Sequence, residues 1–95
     1  MKYILAPRAT KDFGNIIDWV AGHNLTAAEN LYSDFKKSFE YIASFPFAGS
    51  QKSEFTNKPY RWHYLQRYWI TYNPNVTPVK IVRIINSYMD IPSRF

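Results

Sequence analysis

Cysteine is absent from the 95 residues, so no disulfide can staple this fold and no thiolate can hold zinc. The two histidines, His23 and His63, lie far apart and carry no acidic spacing around them that suggests a metal site. No metal and no other cofactor is therefore expected. Long apolar runs are missing as well. The opening Met1-Lys2-Tyr3-Ile4-Leu5-Ala6 is too short for a signal peptide, and nothing approaches the roughly 20 apolar residues of a membrane span. A cytoplasmic protein without membrane association is expected. Acidic residues are scarce: 7 Asp and Glu stand against 12 Lys and Arg, a formal charge of +5. The surface should attract polyanions or an acidic protein segment, and charge alone does not choose between them. There is no internal repeat and no low-complexity tract.

What the chain has in excess is aromatic residues, 19% of the total. Many alternate along predicted strands, so some must reach the surface, where rings interleaved with arginines suit stacked bases or a docked peptide. The length predicts one domain, residues 1–95, with a net stability of roughly 5 to 14 kcal/mol. On so thin a margin a stabilising partner would matter.

The first strand is expected at Lys2 to Ala6, stopped by Pro7. Thr10 offers an N-cap, with Asp12 in the first turn to favour the helix dipole. Phe13, Ile16, Ile17, Val20 and Ala21 follow the i, i+3, i+4, i+7, i+8 pattern of one buried stripe, and that helix ends near Gly22 to Asn24. Trp19 falls off the stripe and should be half-buried. Thr26 and Glu29 form a T-x-x-E capping box for a second helix. Its inner face is Ala28, Leu31, Tyr32, Phe35, Phe39, Ile42 and Ala43, and its outer face carries Asp34, Lys37 and Glu40. Lys36-Lys37 reads as a solvated pair or as a lure for an acidic partner helix. The short connection implies an antiparallel helical hairpin, and Phe45-Pro46 ends it.

A polar surface loop from Pro46 to Pro59 leads to three strands: Tyr60 to Leu65, Arg67 to Tyr72 and Val79 to Asn86. A tight turn at Gln66-Arg67 and a looser one over residues 73–78 connect them. The last strand is apolar on both faces, with Ile81 and Ile85 assigned to one and Val82 and Ile84 to the other. It should therefore be central. The hairpin can cover one face only, which leaves an apolar strip for the C-terminal tail or for a partner.

The order strand, helix, helix, strand, strand, strand in a small basic chain resembles the ParE branch of the ParE/RelE toxin superfamily. The likeness covers essentially the whole chain through pattern more than identity. It rests on Phe45-Pro46 with Gly49 after the hairpin, Arg61 in the next strand, and Tyr68, Ile70 and Tyr72 in the one after. It ends with Ile81-Val82-Arg83-Ile84-Ile85-Asn86 and Tyr88-Met89-Asp90-Ile91. Asn86 stands where the family has a histidine, and Tyr88-Met89 where it has a basic pair.

The resemblance implies an α+β fold with a helical hairpin packed on a largely antiparallel sheet. It also implies the toxin of a type II toxin–antitoxin pair, a plasmid-stabilisation type of bacterial protein that binds a cognate antitoxin as a hetero-oligomer. ParE toxins inhibit DNA gyrase, whereas RelE toxins cut messenger RNA on the ribosome.

Messenger RNA cleavage without metal needs a base, cations for the phosphorane and an acid. The RelE-like pattern places an arginine after the aromatic of the third strand, another after the fourth, and a tyrosine near the end. Here those positions hold Trp69, Met89 and Phe95, which favours binding over catalysis. Arg61, His63 and Arg83 could still form a ribonuclease-like site, with Arg61 and His63 sharing a strand face. The competing reading makes His63 a sheet-surface residue, Arg61 an anchor for a loop or C-terminus, and Asp90 an ion-pair partner of Arg61 or Arg83. The expected partner surface combines Arg61, Trp69, Arg83, Tyr88 and Met89. An RNase of the RelE type, a nucleic-acid-binding module and a non-toxic relic that only binds antitoxin remain alternatives.

Overall fold

Pro7 both ends the first strand and opens the first helix. A computed structural model of the chain describes residues 2–52 and 57–88. In it β1 (Tyr3–Leu5) runs into α1 (Pro7–Ala21) with one residue between them. Proline at N1 gives up an N–H that would have no partner anyway, and its fixed φ suits the helix. The helix therefore starts three residues before Thr10, which is not its cap; Ala6 is, with no side-chain hydrogen bond. The Thr10 N–H already bonds to the Ala6 carbonyl at 3.0 Å.

Helix α2 (Leu25–Ser44) is likewise capped two residues earlier than the capping box implied. The Asn24 side chain accepts the Ala27 N–H at 3.0 Å, so Thr26 lies inside the first turn. Phe45 closes the helix before Pro46, as expected. Then come β2 (Arg61–Leu65), β3 (Tyr68–Asn73) and β4 (Val79–Asn86). The sheet order is β1-β4-β3-β2, with β1 parallel to β4 and the other two pairs antiparallel. This is the α+β hairpin-on-sheet arrangement, with β4 central.

The hairpin packs its stripes on one face. Phe35, Phe39, Ile42, Ile70, Tyr72 and Ile81 form the heart of that core, each at most 1% exposed. Burial of each such side chain contributes about 1.5–3 kcal/mol. Phe13 meets Phe35 and Phe39 edge-on at 5.3 and 5.5 Å, so α1 and α2 are locked by aromatic contacts. Tyr32, assigned to the inner stripe, stacks on Phe13 from the rim and stays 47% exposed. Trp19 is 67% exposed, not half-buried, with its ring against His23 at 4.5 Å.

The facing of β4 differs from simple alternation. Thr71 pairs with Arg83 but Tyr72 pairs with Ile81, which leaves Val82 as an extra residue. A bulge shifts the phase of everything beyond it. Ile81 and Ile84 therefore both face the hairpin, while Ile85 turns to the far face with Trp62 and Trp69. The far face is also less open than the sequence suggested. Trp62, Thr71 and Ile85 are 1%, 0% and 2% exposed. Ser50 pairs with Trp62 through two 2.9 Å backbone hydrogen bonds, and the Lys52 amine lies 4.6 Å from the Trp69 ring. The segment after α2 thus folds back along β2 and over the second small core.

Candidate functional site

The two-residue turn at Gln66-Arg67 pairs Leu65 with Tyr68, and this register decides which side chains share a face. Arg61 pairs with Tyr72 and His63 with Ile70, so both lie on the hairpin side. Trp62, Tyr64, Trp69 and Arg83 lie on the far side. The expected partner surface is accordingly divided. Trp69 and Arg83 share the far face, Tyr88 follows β4 at 82% exposure, and Arg61 points the other way. Met89, Asp90 and Phe95 lie outside the described residues.

Arg61 is an anchor. Its Nη1 donates to the carbonyl oxygens of Phe47 and Gly49 at 3.1 and 3.0 Å, and the guanidinium lies 5.4 Å from the Phe47 ring. Gly49 completes this clasp. Its N–H donates to the Tyr72 hydroxyl at 3.0 Å, and a Cβ there would overlap that hydroxyl and stand 2.9 Å from the Trp62 carbonyl oxygen. Burial holds the Tyr72 phenol above its usual pKa, opposed by the hydrogen bond from Gly49. The glycine of the sequence pattern is thus required by close approach.

Arg83 is committed too. Its Nε donates to Asp12 Oδ2 at 2.7 Å and its Nη2 to Oδ1 at 3.3 Å. The same carboxylate accepts the Ile84 N–H at 3.1 Å. β1 pairs with β4 only as far as Ile81, so Asp12 satisfies a strand edge that β1 is too short to reach. Sequence reading placed Asp12 at the helix dipole; its partner lies 71 residues away and no local signal could have identified it.

His63 stacks near Tyr41, ring centroids 5.6 Å apart, beside a cleft lined by Lys37, Ser38 and Tyr41. Burial lowers its pKa below the ordinary 6.5, which keeps the ring neutral at pH 7. Strand β3 lies between its strand and that of Arg83. Among the described residues no group of three His, Asp or Glu side chains could hold a metal. Among the described residues no helix is long and apolar enough to cross a membrane.

Part of the exposed apolar surface lies on the helices. Leu25 and Tyr32 are 66% and 47% exposed along the outer hairpin and, with Ile17, Ala21 and Ala28, line a shallow groove of about 280 Å³; Trp19 is 67% exposed elsewhere on α1. A second groove, about 390 Å³, runs between α1 and the end of β4, with Asp12, Asn15, Trp19, Arg67 and Asn86 on its walls. Trp19 borders this second groove. Its i+3/i+4 position off the buried stripe was the available signal, and the half-buried reading missed it.

A helical hairpin laid on a β1-β4-β3-β2 sheet is the architecture of the ParE-like toxins. The structure described as the chromosomal ParDE TA system from P. aeruginosa superimposes with a TM-score of 0.73 at 16% identity. That match covers 90% of this chain and 95% of the other. Residues 3–91 match the family described as ParE toxin of type II toxin-antitoxin system, parDE. The chain belongs to the ParE toxin family. Among curated proteins no sequence matches it.

Proposed function

We propose that this ParE-family chain inhibits DNA gyrase by binding, without catalysing a reaction, and that a cognate antitoxin neutralises it. The family match over residues 3–91 is the observation that carries the reading. The site geometry supports its non-catalytic part. Arg61 and Arg83, the strand arginines that could serve a phosphorane, are tied to loop carbonyls and to Asp12 on strands β2 and β4, which β3 separates. His63 is on the hairpin side, and the resemblance puts Trp69 where the RNA-cutting branch uses an arginine. The antitoxin reading draws on the neighbour's ParDE pairing and on the apolar strip of Ile17, Ala21, Leu25 and Tyr32 with Lys36 beside the Tyr32 ring. An amphipathic antitoxin segment with acidic flanks would cover that strip in the helix-in-groove manner.

The test is a gyrase supercoiling reaction with the purified toxin, alone and with the antitoxin encoded beside it. Loss of supercoiling with accumulation of cleaved DNA, reversed by antitoxin, is expected. Tyr88→Ala separates target contact from fold, because that ring is 82% exposed and its loss should leave Tm unchanged while weakening inhibition. Unaffected gyrase together with codon-positioned cuts in a translating extract would overturn the reading in favour of a ribosome-dependent RNase.

A further inference from the structure

Beside the first turn of α1, a cavity of about 360 Å³ is lined by Ala6, Arg8, Lys58, Tyr60 and Arg83 among others. Its described lining contains three cationic side chains and no carboxylate. Arg8 is exposed and makes no ion pair with a described residue. Lys58 stands with its amine 5.8 Å from the Tyr60 ring. Asp12 balances the Arg83 charge, and Arg8 contributes a positive charge that no described carboxylate pairs with.

Two features suit a multivalent oxyanion over a simple halide. The first is the helix end. Ala6 supplies no side-chain cap, Pro7 has no N–H, and Thr10 bonds back to Ala6, so the N–H groups of Arg8 and Ala9 have no acceptor within the 15-residue helix. The second is Arg83, whose side chain is 10% exposed. Its Nε and Nη2 hold Asp12, while Nη1 is buried without a hydrogen-bond partner among the described residues. Thr71, directly across the ladder from Arg83, likewise has a buried Oγ1 without a partner. Buried polar atoms of this kind mark a place where a water or an ion completes the structure.

We propose that this cavity is a binding site for a phosphoryl group, either free phosphate or a phosphate of a nucleic-acid backbone. Arg8 supplies a guanidinium fork, and the first turn of α1 supplies backbone donors and the helix dipole; Arg83, its charge balanced by Asp12, adds one guanidinium N–H group that still lacks an acceptor. The inference is independent of the gyrase reading, since it concerns a ligand group and not the toxin's target.

The experiment is an amide NMR titration of the full chain with inorganic phosphate at constant ionic strength, chloride serving as the control. Saturable shifts centred on the Arg8 and Ala9 amides and the Arg83 Nε–H are expected. Arg8→Ala should weaken them by about tenfold, while Lys11→Ala, the same charge change on an exposed α1 residue outside the cavity, should leave them within about twofold. A second arm uses a short DNA duplex. If Arg8→Ala also weakens duplex binding, the phosphate belongs to a nucleic-acid backbone; if only the phosphate arm responds, the ligand is free phosphate. Shifts spread over the basic surface, or an equal loss in both variants, would overturn the proposal. So would a chloride titration that reproduces the phosphate response.

Discussion

Replacing Asp12 tests the least visible support of this fold. The carboxylate accepts three hydrogen bonds, from Arg83 Nε at 2.7 Å, Arg83 Nη2 at 3.3 Å and the Ile84 N–H at 3.1 Å. The two side chains are only 10% and 18% exposed, so water compensates little when one is lost. Asp12→Ala leaves a buried guanidinium without a counter-charge and a strand-edge N–H without an acceptor. Breaking a buried pair from one side costs about 3–5 kcal/mol. For a chain of this size each kcal/mol lowers Tm by about 4–8 °C, so the fall should be at least about 12 °C. Asp12→Asn keeps an acceptor for Ile84 and should cost less. The informative variant removes both charges. Asp12→Leu with Arg83→Met should recover most of the loss, because two charges need no longer be desolvated. Urea unfolding followed by circular dichroism measures all four proteins. If Asp12→Ala costs under about 1 kcal/mol, or the double variant is no more stable than the single, the pair is not the brace described here.

Two further predictions concern the clasp and the sheet. Gly49→Ala drives a methyl into the Tyr72 hydroxyl and towards the Trp62 carbonyl, and should destabilise by about 1–3 kcal/mol. Tyr72→Phe should relieve part of that cost, so urea unfolding of the double variant should show a favourable coupling, and strict additivity would disprove the steric account. His63 has its pKa lowered by burial, so below pH 6.5 the unfolded chain takes up protons more readily than the folded one. Its contribution to stability is present above pH 6.5 and is lost as the pH falls through its folded pKa. His63→Gln should flatten the stability profile in that window, and a histidine titration midpoint at or above 6.5 by NMR would contradict the assignment.

Much of the architecture follows from local signals. The helical stripes, the stop at Phe45-Pro46, the two-residue turn at Gln66-Arg67 and the limits of β4 arise from side-chain periodicity and backbone preference within a few residues. Competition between equally good local signals accounts for the misplaced helix starts. Pro7 outcompetes Thr10 because it tolerates N1 at no hydrogen-bonding cost, and Asn24 takes the cap two residues ahead of Thr26. The separation of Arg61 from Trp69 was also legible, since a two-residue turn pairs Leu65 with Tyr68 and sends Arg61 to the side of Tyr72.

What the sequence by itself determined is therefore the element order, the hairpin's buried face and the ParE-like class. Those depend on repeats of 3.6 and 2 residues that every window of the chain carries. Only the tertiary structure decided the facing of Ile84 and Ile85, because the Val82 bulge exists through pairing with β3. The same is true of the Asp12–Arg83 brace, the backfolding of Ser50 and Lys52 over β2, and the gathering of Arg8, Lys58 and Arg83 around one cavity. Each joins residues distant in the chain, and their free energy arises from desolvation and proximity that no local pattern encodes.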